Sequence, residues 1–223
     1  MIWLTSDTHF GHGNVIKYSK RPFASENELL SGTILPESVS KMNETIIKNW
    51  NEVVKAEDTV LHLGDFSMSA KSAEDIIKRL NGKITLILGN HDIPHPSHPK
   101  SKTEELRAKR RSEYLIYGFS DMCQESIFPV PGVCSFRLNH FPYEDSLDLD
   151  KDGKLRLGKY RMPDDGVPLL CGHVHEKWLF KRTKKGTPML NVGIDAPNAP
   201  WSGLYRPASL QEVIKIYREC IGS

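Results

Sequence analysis

The chain has 223 residues, 39% hydrophobic and 26% charged, with a formal net charge of +2. This is the composition of an ordinary soluble globular protein with a sizeable core, and a charge so near balance gives no argument for nucleic acid on its own. No apolar run approaches the roughly 20 residues of a membrane helix, so no membrane partner is expected.

In chain order, Ile2 to Thr5 reads as a short apolar strand. Lys41 to Val54 reads as a helix, because Met42, Ile46, Ile47, Trp50, Val53 and Val54 fall near one face. Thr59 to Leu63 is a strand, Ser72 to Leu80 a helix with Ser72 as its cap, and Lys83 to Leu88 a buried strand. Ile93 to Ser101, with three prolines, is a loop, and Lys102 to Glu113 a charged surface helix. Met122 to Phe128 and Val133 to Leu138 read as two strands. Residues 145–166 form a polar excursion. Pro168 to Cys171, Lys177 to Lys181 and Met189 to Val192 are strands, and Pro207 to Cys220 contains a final helix. The strand–helix–strand spacing favours an α/β fold, and the lack of repeats or linkers favours one domain over residues 1–223.

Five segments at or just after apolar runs carry the chemistry: Asp7-Thr8-His9, Gly64-Asp65-Phe66, Gly89-Asn90-His91-Asp92, Asn139-His140 and Gly172-His173-Val174-His175. Carboxylates, an amide and imidazoles are ligands for hard and borderline cations, and such a set at strand ends suits a two-metal hydrolytic site. Asp7 and His9, at i and i+2, face the same side of a regular strand, and His173 and His175 repeat that spacing. Taken singly each has a plainer use: Asp65 and Asn90 as turn formers, His91 and Asp92 as a structural pair.

All five segments in this order resemble the calcineurin-like metallophosphoesterases, whose blocks are D-x-H, G-D-x, G-N-H-[DE], a lone His after a strand, and G-H-x-H. The resemblance implies a four-layer sandwich of two mixed β-sheets flanked by helices, with the site at the strand ends. It implies that Asp7, His9, Asp65 and His175 hold one divalent ion, and that Asp65 bridges to a second held by Asn90, His140 and His173. His91 would face the substrate phosphate, and the reaction would be attack of a metal-bridged hydroxide on a phosphoester. Mixed N/O ligands suit Mn, Fe, Zn, Ni or Co without choosing among them. Many members carry a second carboxylate in the G-D block, where this chain has Ser67 and Met68. That leaves Asp92 or a main-chain carbonyl as the group orienting His91.

The loop Gly11-His12-Gly13-Asn14 to Arg21 follows the first block, which makes His12 and Arg21 candidate substrate contacts. A small phosphodiester, a nucleotide among the options, is favoured as substrate over a monoester. The rivals are a nuclease using the basic runs at Arg107 to Arg111 and Lys177 to Lys185, and a non-catalytic scaffold of the same fold. Asp148-x-Asp150-x-Asp152-Gly153 copies half of an EF-hand loop, but Lys159 stands where a Glu is needed, so a polar turn is expected. Cys123, Cys134, Cys171 and Cys220 are widely spaced, and the first candidate ligand comes as early as Asp7. Reduced thiols, no secretory segment and a cytoplasmic protein are the expectation.

Overall fold

The structure, a computed structural model, describes residues 1–144, 154–155 and 157–222. The strands are β1 (Ile2–Thr5), β2 (Thr59–His62), β3 (Lys83–Ile87), β4 (Asp121–Cys123), β5 (Glu125–Val130), β6 (Cys134–Asn139), β7 (Leu169–Cys171), β8 (Phe180–Arg182), β9 (Pro188–Asn191) and β10 (Ala208–Ser209). The helices are α1 (Gly13–Tyr18), α2 (Glu26–Ser31), α3 (Pro36–Val53), α4 (Ala70–Ile77), α5 (Glu104–Tyr117) and α6 (Leu210–Gly222).

Two five-stranded sheets result, ordered β10-β1-β2-β3-β4 and β5-β6-β7-β9-β8. Both are mixed. β1 to β4 run parallel with β10 antiparallel at one edge, while β6, β7 and β9 run parallel between antiparallel β5 and β8. Side-chain alternation along the first sheet feeds two cores. Leu4, Leu61 and Ile87 face Phe136, Leu138, Leu170 and Leu190 of the second sheet. Their neighbours Trp3, Val60 and Leu86 face Met42, Ile46 and Trp50 of α3 and Ala73 and Ile76 of α4. The strands are therefore apolar on both sides, as parallel strands under helices must be. Trp50 is fully buried and its indole N–H donates to the Asn81 carbonyl at 2.9 Å, which fixes the C-terminal half of α3. The architecture is two mixed sheets flanked by helices, as the resemblance implies.

Several boundaries differ from the sequence expectation. α3 begins at Pro36, five residues early, because Pro at the first turn lacks only an N–H that has no intrahelical partner. The cap of α4 is Ser69, whose hydroxyl accepts from the Ser72 amide at 3.1 Å. The expected strand Met122 to Phe128 is two strands, β4 and β5, which belong to different sheets and meet at Gln124. The strand expected at Lys177 to Lys181 starts later, at Phe180, after a tight 3-10 turn at His175–Lys177. The EF-hand-like stretch lies outside the described residues. The described end of the polar excursion is anchored: Asp164 is buried and accepts from the Thr183 and Thr187 hydroxyls. Among the described residues all four cysteines are free, and Cys171 is a buried core position. No helix there is long and apolar enough to cross a membrane.

Candidate metal centre

The five motif segments follow the ends of β1, β2, β3, β6 and β7, where parallel strands deliver their carboxyl ends to one side of the molecule. The loops after β1 and β2 pair through the backbone. Asp7 N donates to Gly64 O (3.0 Å), His9 N to Asp65 O (3.0 Å) and Phe10 N to Phe66 O (2.9 Å). Asp7, His9, Asp65, His173 and His175 all hold left-handed backbone, with φ of 58°, 50°, 56°, 70° and 46°. This corrects the reason given for the D-x-H and H-x-H spacing. β1 ends at Thr5 and β7 at Cys171, so paired left-handed turns, not strand alternation, aim these side chains inward. Such conformations cost energy in non-glycine residues and persist where the surroundings over-determine them.

Two sets of ligand atoms converge. Those of Asp7, His9 and His175 lie within 4.8 Å of one another, as do those of Asp65, His140 and His173. Asp65 Oδ2 stands between the sets, 3.5 Å from His9 Nε2 and 3.4 Å from His140 Nε2. His9 Nε2 and His175 Nε2 are 3.3 Å apart, and His175 Nε2 is 3.6 Å from Asp7 Oδ1. Two observations fit a bound cation. His140 Nδ1 sits 2.7 Å from the Leu63 carbonyl, to which it donates, while buried Nε2 makes no hydrogen bond of good geometry. Asn90 Oδ1 is likewise buried without a hydrogen-bond partner, and Asn90 lines the same cavity. A bare amide oxygen, and an imidazole nitrogen whose proton a cation could displace, suit a divalent metal in a buried N/O set.

Two glycines make this convergence possible. Gly64 has φ of 90°, and a Cβ there would lie 2.6 Å from Gly89 N. A Cβ on Gly172 would lie 1.9 Å from Ser6 Oγ and 2.4 Å from Asp7 Oδ2. Gly172 thus lets the backbone reach Asp7, whose carboxylate accepts from His173 N at 2.9 and 3.1 Å.

Burial drives the His9 imidazole well below its ordinary range, with Asp65 opposing only in part, so it stays neutral and able to ligate. Burial also opposes a proton on His140, but the adjacent Asp65 carboxylate outweighs it and holds His140 up at about 9. Asp65 is in turn held well below the usual carboxylate range against its burial, first by His140. A cation held here would take the place of that proton.

A cavity of about 590 Å³ opens over the two sets, lined also by His12, Asn14, Tyr18, Val174, Glu176 and Lys177. His91 lines it with its side chain 39% exposed, its Nε2 4.0 Å from Asp65 Oδ2 and its ring 5.2 Å from that of His9. His12 is half-buried on the wall, its ring 6.1 Å from His91. Arg21 does not reach the cavity. It is 3% exposed, and all five guanidinium N–H groups are used. They go to both Asp195 oxygens, the Asp7 and Thr8 carbonyls and Met42 Sδ, which leaves none for the expected substrate contact. Asp92 does not orient the His91 ring. Its oxygens accept from the amides of Asp65 (2.9 Å), Phe66 (2.9 Å) and Gly89 (2.8 Å), so it shapes the Asp65 turn instead.

Sequence reasoning missed Asp195. Its Oδ2 accepts from His175 Nδ1 at 2.9 Å, and Ser19 Oγ lies 3.1 Å from the same nitrogen. Burial opposes ionisation of Asp195, yet Arg21 and then His175 hold its carboxyl down at about 2. Asn191 was missed too; its amide donates to the His175 and Trp178 carbonyls. A signal existed in the register. Cys171 pairs with Asn191, and His175 and Asp195 each stand four residues further on.

Paired N/O ligand sets at the ends of parallel strands are the equipment of a metal-dependent hydrolase. Residues 1–200 match the family model described as a calcineurin-like phosphoesterase superfamily domain, and the chain belongs to that superfamily of metal-dependent phosphoesterases. It is 47% identical over 94 residues to the uncharacterized protein MJ1445 of Methanocaldococcus jannaschii, a match covering 41% of this chain and only 46% of that protein. It is 30% identical over 227 residues to the Gene 66 protein of Mycobacterium phage D29, covering 98% of each. Among solved structures it resembles the protein of unknown function AQ665 from Aquifex aeolicus, with 24% identity and a TM-score of 0.58 over 97% of this chain and 98% of that one; this shows a shared fold.

Proposed function

We propose that the chain, read as one domain, is a dinuclear metal-dependent phosphoesterase that prefers small phosphodiesters, nucleotides among them. The observation that carries this reading is the place of Asp65 Oδ2 between two three-residue ligand sets on the floor of one open cavity. Asp7, His9 and His175 would hold one ion, His140, His173 and Asn90 the other, with Asp65 between them. When bound, a pair of divalent ions supplies a nucleophile from water near neutral pH and neutralises phosphoryl charge.

The protein's own groups do the rest. His91 projects into the cavity beside the ligand sets, where it can stabilise phosphoryl oxygens or give a proton to the leaving oxygen. The cavity, about 590 Å³ in volume, has space for a small phosphoester over the ligand sets. In the α5 basic run Arg110 pairs with Glu113, and Arg111 and Arg107 donate to nearby backbone carbonyls, which weakens the case for a nuclease. The complete ligand sets and His91 speak against a non-catalytic scaffold.

The test is hydrolysis of bis(p-nitrophenyl) phosphate against p-nitrophenyl phosphate, with stripped protein reloaded with Mn, Co, Ni or Zn. Faster diester hydrolysis is expected, abolished by chelator. Inertness toward both esters with every metal would reject the reading, and monoester-only activity would reject the diester preference.

A further inference from the structure

We propose that Arg21 and Asp195 act as one positioning unit for the ligand set Asp7, His9 and His175, and make no direct contact with Asp65, His140 or His173; this rests on the reading of both sets as metal sites. Arg21 and Asp195 are 174 residues apart in sequence and joined by two parallel hydrogen bonds, Nε to Oδ1 at 2.9 Å and Nη2 to Oδ2 at 2.8 Å. A bidentate pair of this kind is geometrically stiff. The guanidinium also donates to Asp7 O at 2.6 Å and Thr8 O at 2.9 Å, which are the carbonyls between the two ligands of the first turn. Asp7 holds its left-handed φ of 58° between this clamp and its own N–H bond to Gly64 O.

The carboxylate end acts on the third ligand. Asp195 Oδ2 accepts from His175 Nδ1, which fixes the tautomer that presents a bare Nε2 toward Asp7 and His9. One buried ion pair thereby ties together the backbone of one ligand and the ring of another, from loops at opposite ends of the chain. The other set touches this unit only through the first-set residues, since His173 N donates to the Asp7 carboxylate and His9 N to Asp65 O, and it has supports of its own. Leu63 O orients the His140 ring, and the His91 amide holds Asp65 Oδ1 at 2.8 Å. An outer group that orients a ligating imidazole typically changes metal affinity by about 10–100-fold, and here the change should fall on one ion of the two.

The experiment is calorimetric titration of metal-free protein with Mn(II), with electron paramagnetic resonance reporting coupled against isolated ions. Asp195→Asn and Arg21→Lys are compared with Asp58→Asn, a buried carboxylate that receives the Trp3 indole N–H away from the cavity. Wild type should bind two ions. Asp195→Asn should weaken one by about 10–100-fold, hold the other within about threefold, and replace the coupled signal with an isolated one. Asp58→Asn should keep both ions even where it lowers the melting temperature. In the His175→Ala background, Asp195→Asn should add less than its full loss, because the ring it orients is gone and only the Arg21 clamp on Asp7 and Thr8 remains to be loosened. If Arg21→Lys does not fold, Asp195→Asn alone decides. Unchanged binding in Asp195→Asn would overturn the proposal, as would equal weakening of both ions or a full additive loss on top of His175→Ala. Wild type that binds one ion or none would instead remove the dinuclear reading itself.

Discussion

Asp65 and His91 are joined through the backbone: the His91 amide donates to Asp65 Oδ1 at 2.8 Å, which leaves Oδ2 as the oxygen placed between the two ligand sets. On the two-metal reading, a single Asp65 oxygen would therefore serve both ligand sets.

Asp65→Ala should abolish hydrolysis and remove or weaken both ions, since it deletes Oδ2, which lies 3.5 Å from His9 Nε2 and 3.4 Å from His140 Nε2. Metal analysis after dialysis against Mn(II) checks this. A variant that keeps two ions and near-normal turnover would reduce Asp65 to a turn residue.

His91→Ala should keep both ions and lose activity by roughly the 10²–10⁴-fold typical of a general acid–base group. The loss should shrink for esters with an acidic leaving group, which leave without protonation. Rates across a series of aryl phosphodiesters give the slope. A loss of equal size throughout would make the role electrostatic, and loss of metal would make His91 a ligand.

Gly172→Ala should depress metal binding as well as stability, because the added methyl falls on Ser6 Oγ and Asp7 Oδ2, both buried. Thermal melts and Mn(II) titration together check it. Normal metal content with only a lower melting temperature would show that Asp7 can shift aside at no cost to the site.

His12→Ala should raise KM more than it lowers kcat, as expected for a contact made equally in ground and transition states. Burial, then the neighbouring His91, pushes the His12 imidazole down to about 4, so it acts uncharged. The KM ratio of variant to wild type should therefore stay constant from about pH 6 to 8. A ratio that grows as pH falls across that range would mean a charged contact.

Acid should destabilise the fold below the ordinary carboxylate range. Glu28 is held down at about 2, chiefly by the Leu35 amide and then by Ser25, with both amides donating at 2.8 Å. Burial opposes ionisation of Glu212, but Arg206 and Ser209 bring it to about 2 as well. Both values lie below the unfolded value of about 4.5, so the folded state binds fewer protons. The stabilisation is complete above about pH 4.5 and is lost as pH falls toward 2. Glu28→Gln should flatten the melting temperature over that window relative to wild type, and an unchanged pH profile would remove Glu28 from the account.

The parts of the fold that were legible in the sequence are those with long apolar runs. β1, β2 and β3 read clearly because they are buried on both faces, and α3 because it repeats an apolar face over five turns. α1 and α2, at six residues each, are too short to show periodicity, and β10 has only two. The ligand residues were readable as a set because their order along the chain is specific. Their geometry was not, since left-handed turns at Asp7 and His175 leave no trace in residue type. Arg21 was misread for the opposite reason. A cation near a site motif suggests a substrate contact, and nothing local reveals a carboxylate 174 residues away that claims it.

The left-handed ligand residues also bear on how such a chain can change over generations. Asp7, His9, Asp65, His173 and His175 sit where glycine would be relaxed and their own side chains are not. Backbone conformation alone does not favour the residue types of the candidate ligands here. Once selection for the reaction lapses, drift to glycine or asparagine at these five positions relieves backbone strain. If the site is catalytic as proposed, an inactive descendant can then be the hardier protein.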